Sequence, residues 1–172
     1  MGKCELFIKI HRPIIKLASE IPSNENLILM GNHPNKLDPM LINSVVSNVI
    51  FVKDDSLIKT RLIKTIDCDL KSKYMGSMAG AFITLIEKNI LCIFPEGEIN
   101  NEDELKPFVP GAMTLATKSK TNIIPFAITG SYNLIKGDKL KISFGDMFSA
   151  AGMNNEELEE YLKNKIYELK RK

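Results

Sequence analysis

Tryptophan is absent from the 172 residues, histidine occurs twice, cysteine occurs three times, and no apolar run exceeds a handful of residues. Runs that short exclude a spanning helix, which needs roughly 20 consecutive apolar residues. Cys4, Cys68 and Cys92 are odd in number, far apart and without zinc-type spacing, so no disulfide framework is expected and a reducing compartment, by default the cytosol, is. Cys92 sits inside an apolar run and packs as a small hydrophobe. Cys68 lies between Asp67 and Asp69, whose charges disfavour a thiolate, so neither reads as a nucleophile. No Gly-x-Ser-x-Gly elbow surrounds Ser77 or Ser131, which argues against a serine hydrolase. The charge balance, 23 Lys and Arg against 21 Asp and Glu for a net of +2, leaves no basic stripe for nucleic acid. No cleavable leader is recognised, and Leu6 stands where a myristoylation signal needs Ser or Thr.

What is present is an ordinary core-forming composition, 44% hydrophobic and 26% charged, with no repeat, low-complexity tract or linker. Residues 5–18 place Leu6, Ile10, Pro13, Ile14 and Leu17 on one stripe, which predicts an amphipathic leading helix kinked or split at Pro13. Its stripe either packs on the sheet or lies in a bilayer interface with Phe7, Ile10 and Ile14 inserted. Runs rich in β-branched residues at 27–30, 49–52, 90–94 and 123–128 predict buried strands, and 139–144 a further one. Helix-length segments at 39–47, 57–64, 74–88 and 111–118 alternate with them, and a final helix at 156–169 is capped by Asn154 or Asn155. That alternation predicts a single α/β domain with a mixed, largely parallel sheet covered by helices.

In such sheets ligands bind beyond the carboxyl ends of the strands, which directs attention to the loops after Met30, Phe94 and Ile128, the first two of them chemically unusual. The first reads Gly31-Asn32-His33-Pro34-Asn35-Lys36-Leu37-Asp38-Pro39. An imidazole paired with a carboxylate can accept a proton near neutral pH, the carboxylate fixing the tautomer and stabilising the imidazolium. The same residues also read as an ordinary helix start, with Asp38 as N-cap and Pro39 at the first position. The second loop, Phe94-Pro95-Glu96-Gly97-Glu98, either aims a glutamate into the crevice or is a plain β-turn. His33, Asp38 and Glu96 are too few for a metal site with His11 on the leading helix, and none is expected.

Together these segments resemble the glycerolipid acyltransferase family that includes 1-acylglycerol-3-phosphate acyltransferases. Its first motif, Asn-His, four residues, Asp, is matched by Asn32, His33 and Asp38; its third by Phe94, Pro95, Glu96 and Gly97; its fourth by Pro125 in an apolar run. Glu25-Asn26, Val52-Lys53, Phe108 to Ala112, Gly130-Ser131-Tyr132 and Phe144-Gly145-Asp146 look similar too, so the resemblance runs from about 20 to 148. It implies a glycerol-3-phosphate acyltransferase-like fold, residues 1–20 as the leading helix and 21–172 as a single acyltransferase domain. It also implies that His33 deprotonates an acceptor hydroxyl that attacks an acyl thioester directly, and that Asp38 orients His33. Glu96 and Gly97 would shape the acceptor side, Pro125 would help form the donor side, and Asn32 would contribute to substrate binding. The implied co-substrate is a thioester of acyl carrier protein or coenzyme A and no other cofactor. The implied partners are a lysolipid acceptor and, peripherally, the inner face of the membrane.

The sequence departs from the family where the acceptor phosphate is gripped. Glu98 and Ile99 replace the Thr-Arg that follows the third motif, and Ile66-Asp67-Cys68-Asp69-Leu70-Lys71 lacks the arginine that ends the second. Lys71 and Lys73 can stand in as point charges or form a solvated turn. The missing clamp leaves two other readings open: an acyltransferase for a different headgroup or an amine, and a non-catalytic lipid or acyl-carrier binding module.

Overall fold

The structure, a computed structural model, describes residues 3–22, 25–52, 63–66, 68, 78–87 and 89–171. In chain order these form α1 (Lys3–His11), β1 (Ile14–Leu17), β2 (Leu27–Gly31), α2 (Asp38–Val45), β3 (Val49–Val52) and β4 (Lys64–Ile66). There follow α3 (Ala79–Ile86), β5 (Ile90–Ile93), α4 (Pro110–Ser119), β6 (Asn122–Thr129), β7 (Lys141–Phe144), β8 (Phe148–Ser149) and α5 (Asn155–Arg171). The described strands make one sheet in the order β1-β7-β6-β2-β5-β3-β4, with β8 beside β6. All of its pairings are parallel except those of β6 with β7 and β8. The predicted mixed, largely parallel sheet is therefore the fold.

β2 lies at the centre, between β5 and β6, and each of its five residues is buried. Side chains alternate across a strand, so Ile28 and Met30 join the core under α3, α4 and α5, while Leu27 and Leu29 join the core on the opposite face with Phe7 and Leu41. A strand covered on both faces needs apolar residues at every position, which is why this run reads as continuous rather than alternating. Gly31 ends it where nothing larger fits: a Cβ there would stand 2.3 Å from the Phe126 carbonyl oxygen. α5 closes the sheet with Leu158, Leu162, Ile166 and Leu169 on one buried stripe. Asn154 caps it in a reciprocal box, accepting from the Glu157 N–H at 2.9 Å while the Glu157 carboxylate accepts from the Asn154 N–H.

The leading segment differs from the helix expected over 5–18. α1 stops at His11, Arg12 takes φ 43°, and Ile14–Leu17 becomes an edge strand parallel to β7. Pro13 disfavours the helical region for Arg12 and has no N–H to continue the ladder, and the β-branched Ile14 and Ile15 suit the extended chain that follows. Phe7 is buried, so it belongs to the core; Ile10 and Ile14 are exposed at 47% and 38%. The helix expected at 57–64 lies mostly outside the described residues, and its last position begins β4. Of the helix expected at 74–88, residues 78–87 are described and are helical over Ala79–Ile86, and Lys71 and Lys73 are outside the described residues. Among the described residues, no helix is long and apolar enough to cross a membrane.

Candidate active site

Two loops meet beyond the carboxyl ends of β2 and β5. His33 and Asp38, in the first, are both fully buried, with His33 Nδ1 2.8 Å from Asp38 Oδ2. Asp38 does not cap its own helix: Leu37 is the N-cap and no side chain caps α2. The carboxylate turns back into the loop, where Oδ2 also accepts from the Asn35 N–H at 2.7 Å and Oδ1 accepts from the Tyr132 hydroxyl at 2.6 Å. The helix-start reading of Asp38 is thereby replaced by a hydrogen-bonded imidazole–carboxylate pair. The imidazole lies against Phe94 from the second loop, ring centroids 3.9 Å apart and planes 13° from parallel. That stack and the bond to Asp38 fix the ring from two directions.

The loops are tied to each other and to the sheet by amides. Asn32 spends its carboxamide on β6, donating to the Ile128 carbonyl at 2.9 Å and accepting from the Ile128 N–H at 2.8 Å. Replacing Asn32 by Leu strands both Ile128 groups in the core and is expected to cost about 2–4 kcal/mol of stability, read from the shift in urea midpoint. Asn100 donates its N–H to the His33 carbonyl at 2.9 Å and its side-chain amide to Glu96 Oε2 at 2.6 Å. Glu96 Oε2 also accepts from the Lys106 N–H at 2.8 Å, whereas Oε1 is buried and finds no partner among the described residues. The 94–97 segment is a β-turn, closed by the Gly97 N–H on the Phe94 carbonyl, with Gly97 at φ 70°. The β-turn expected there is present, and the Glu96 carboxylate is buried on the 100–106 segment beside it.

Electrostatics follow from burial. Desolvation pushes the Asp38 carboxyl above its ordinary value, opposed by the bonds from His33, Tyr132 and the Asn35 N–H. Burial first, then the Asp38 charge, pushes the Tyr132 phenol far up, so it remains a protonated donor. Burial likewise pushes the Cys92 thiol up, which removes it as a nucleophile. Glu98 is not in the crevice wall but on the surface, 2.7 Å from Lys106 Nζ. Pro125 is buried within β6 opposite Met30, on the face that packs against Gly145 and α5, and thus away from His33. Among the described residues, no three His, Cys, Asp or Glu side chains converge as a metal site would require.

The family model for acyltransferases matches residues 12–129, and this span runs from β1 to the end of β6 through both loops. The chain belongs to the acyltransferase family. It is 25% identical over 141 residues to a 1-acyl-sn-glycerol-3-phosphate acyltransferase of Borreliella burgdorferi, covering 76% of this chain and 56% of that one. It is 26% identical over 148 residues to a probable enzyme of the same name from Mycoplasma pneumoniae, covering 78% and 55%. The chain thus spans about half the length of the curated relatives it matches. In fold it is similar to the crystal structure of the LPA acyltransferase PlsC from Thermotoga maritima, with a TM-score of 0.72 at 19% identity over 98% of this chain and 78% of that one.

Set within this acyltransferase fold, the residues singled out in the sequence separate into three groups. His33, Asp38, Asn32, Glu96 and Gly97 stand on the two loops, with His33 bonded to Asp38 and joined to Glu96 through Asn100; Pro125 does not; Lys71 and Lys73 lie outside the described residues. Two others were not assigned a role from sequence. Asn100 bridges the loops, and Tyr132 reaches Asp38 from 94 positions away. The only sequence signal for Tyr132 is its place just past the end of β6, in the Gly130-Ser131-Tyr132 segment. Removing its hydroxyl takes away a bond that favours ionised Asp38. Tyr132→Phe is therefore expected to move the acidic limb of kcat/KM to higher pH and to lower the plateau about tenfold, measured as a full pH–rate profile.

Proposed function

We propose that this chain transfers a fatty acyl group from a thioester, of coenzyme A or acyl carrier protein, to the hydroxyl of a lysoglycerophospholipid such as 1-acylglycerol-3-phosphate. The single observation that carries the reading is the buried His33–Asp38 pair, held at 2.8 Å at the carboxyl end of the central strand. With Nδ1 engaged by Asp38, Nε2 takes the proton as the acceptor oxygen attacks the thioester carbonyl. The C–O bond forms, the C–S bond breaks, and the imidazolium returns its proton to the departing thiolate. Ionised Asp38 stabilises the imidazolium between these events, and in a site closed to water that attraction is only weakly screened. No covalent acyl-enzyme is needed. Glu96 Oε1, buried and without a partner among the described residues, accepts from a second hydrogen-bond donor on the acceptor. Asn32 and Asn100 position the loops, and Gly97 gives the turn its shape. Catalysis at the inner face of the membrane follows from a lipid acceptor and a thioester donor.

A second reading concerns the headgroup. Neither family arginine is present, and Glu98 is engaged with Lys106, so a headgroup other than a phosphate monoester is the rival acceptor. Offering a thioester with equimolar lysophosphatidic acid and neutral-headgroup lysolipids, then weighing the products, tests this. Preferential acylation of lysophosphatidic acid supports the first reading, and acylation of another lysolipid alone supports the second. Thioester binding without any product supports a binding module and contradicts both.

A further inference from the structure

The loop of residues 131–139 displays two large apolar side chains to solvent. Leu134 is 63% exposed and Ile135 90% exposed, and they stand beside an open cleft of about 500 Å³ that Ile10 and Arg12 at the end of α1 also line. Single exposed apolar residues are ordinary on protein surfaces; an adjacent pair held out by a built loop is not. This loop is built. Asn133 Oδ1 accepts from the N–H groups of Ile135 and Lys136, Ser131 Oγ accepts from the Asn133 N–H, and the Ser131 N–H closes on the Asp138 carbonyl at 2.9 Å. Gly137 at φ 100° lets the chain turn back, where a Cβ would stand 2.8 Å from that of Ser131.

The two segments around the pair are mostly positive. Residues 9–16 and 131–141 carry Lys9, Arg12, Lys16, Lys136, Lys139 and Lys141 against the single carboxylate of Asp138. Six cations against one acid give these two segments a net of +5, while the whole chain is +2, so the remainder is net −3. β7 binds the segments together: Ile14 pairs with Lys141, and the Ile14 N–H donates to the Leu140 carbonyl at 2.8 Å.

We propose that the 131–139 loop and the end of α1 form a docking surface for an anionic bilayer, with Leu134 and Ile135 entering the interface and the surrounding cations meeting lipid phosphates. Exposed apolar residues in segments rich in cations suit the headgroup boundary of a bilayer, since the apolar pair gains by burial and the cations by attraction to anionic lipid. A folded acidic protein would satisfy the cations but would need a recess shaped for Leu134 and Ile135, whereas a bilayer interface takes in an exposed apolar pair as it stands. Docking here also has a consequence for the site, because the same loop begins with Tyr132, whose hydroxyl holds Asp38. The surface extends the lipid-acyltransferase reading, yet it is tested by binding alone.

The experiment is co-sedimentation of the full chain with vesicles of phosphatidylglycerol mixed with phosphatidylcholine, and with phosphatidylcholine alone. Binding is expected only with the anionic vesicles and is expected to weaken with salt. The double variant L134E/I135E and the double variant R12E/K139E are each expected to lose about tenfold or more in partitioning. These side chains are exposed, so thermal melts should match the parent, and turnover of a water-soluble short-chain acceptor should be unchanged. Wild-type partitioning by both variants overturns the proposal, as does absence of binding by the parent chain. So does a result in which the variants break a dimer seen by light scattering, or a complex with acyl carrier protein, while vesicle binding stays intact. Vesicle binding lost in the variants, in a protein that acylates nothing, leaves this surface standing and overturns the catalytic reading instead.

Discussion

Replacing His33 with alanine is expected to lower acyl transfer about a hundred- to ten-thousandfold, the range that removal of a positioned general base spans. His33 is fully buried, so bulk water does not take over as base, and no other imidazole is bonded to Asp38. The fold should survive, because Asn32 and Asn100 anchor the loop through bonds that do not involve the imidazole. The vacated space against Phe94 removes one stacked ring and is expected to cost about 2–4 kcal/mol, by analogy with large-to-small core substitutions. Thioester consumption gives the first quantity and a urea titration the second. A purely structural His33 would show a stability loss with turnover retained per folded molecule.

Asp38→Asn separates catalysis from stability even more sharply. The amide matches the carboxylate in size, but it can donate to Nδ1 and so trap the tautomer whose Nε2 already carries a proton. A loss of about ten-thousandfold is expected, with no negative charge left to balance the imidazolium. Stability should move the other way. Burial raises the folded-state pKa of Asp38 above its unfolded value, so folding binds the proton more tightly. For a carboxyl shifted upward, native stability falls as pH climbs from the unfolded pKa through the folded one, and the deficit persists at neutral pH. The neutral amide escapes that deficit. Its melting temperature relative to the parent should therefore rise between acidic and neutral pH, scored by melts across that range; a falling difference would mean that ionised Asp38 stabilises the native chain.

The parts of this fold that can be read from sequence are those buried on both sides. β2, β5 and the interior of β6 announce themselves as unbroken apolar runs because those positions are buried on both faces. β4 and β8, three and two residues long, are too short to show a period, and β1 was obscured because its apolar residues continue the helical stripe of α1 past Pro13. The loop after β2 shows a different limit. Asp38-Pro39 carries the full local signature of a helix cap, and it is the loop partners His33 and Asn35 together with the distant Tyr132 that turn the carboxylate the other way. Tyr132 itself acts from just past the carboxyl end of the neighbouring, parallel β6, 94 positions along the chain from Asp38, a separation that no local pattern encodes. Pro125 illustrates the converse: its motif is visible in sequence, but the alternation of β6 puts it on the face away from His33.

The most direct test of His33-based acyl transfer is mass spectrometry of the products formed when the purified chain meets an acyl thioester and a lysolipid, run beside the His33→Ala protein. The geometry predicts a diacyl product from the parent that falls at least about a hundredfold in the variant. Equal product from both proteins would contradict it, whatever the headgroup acylated.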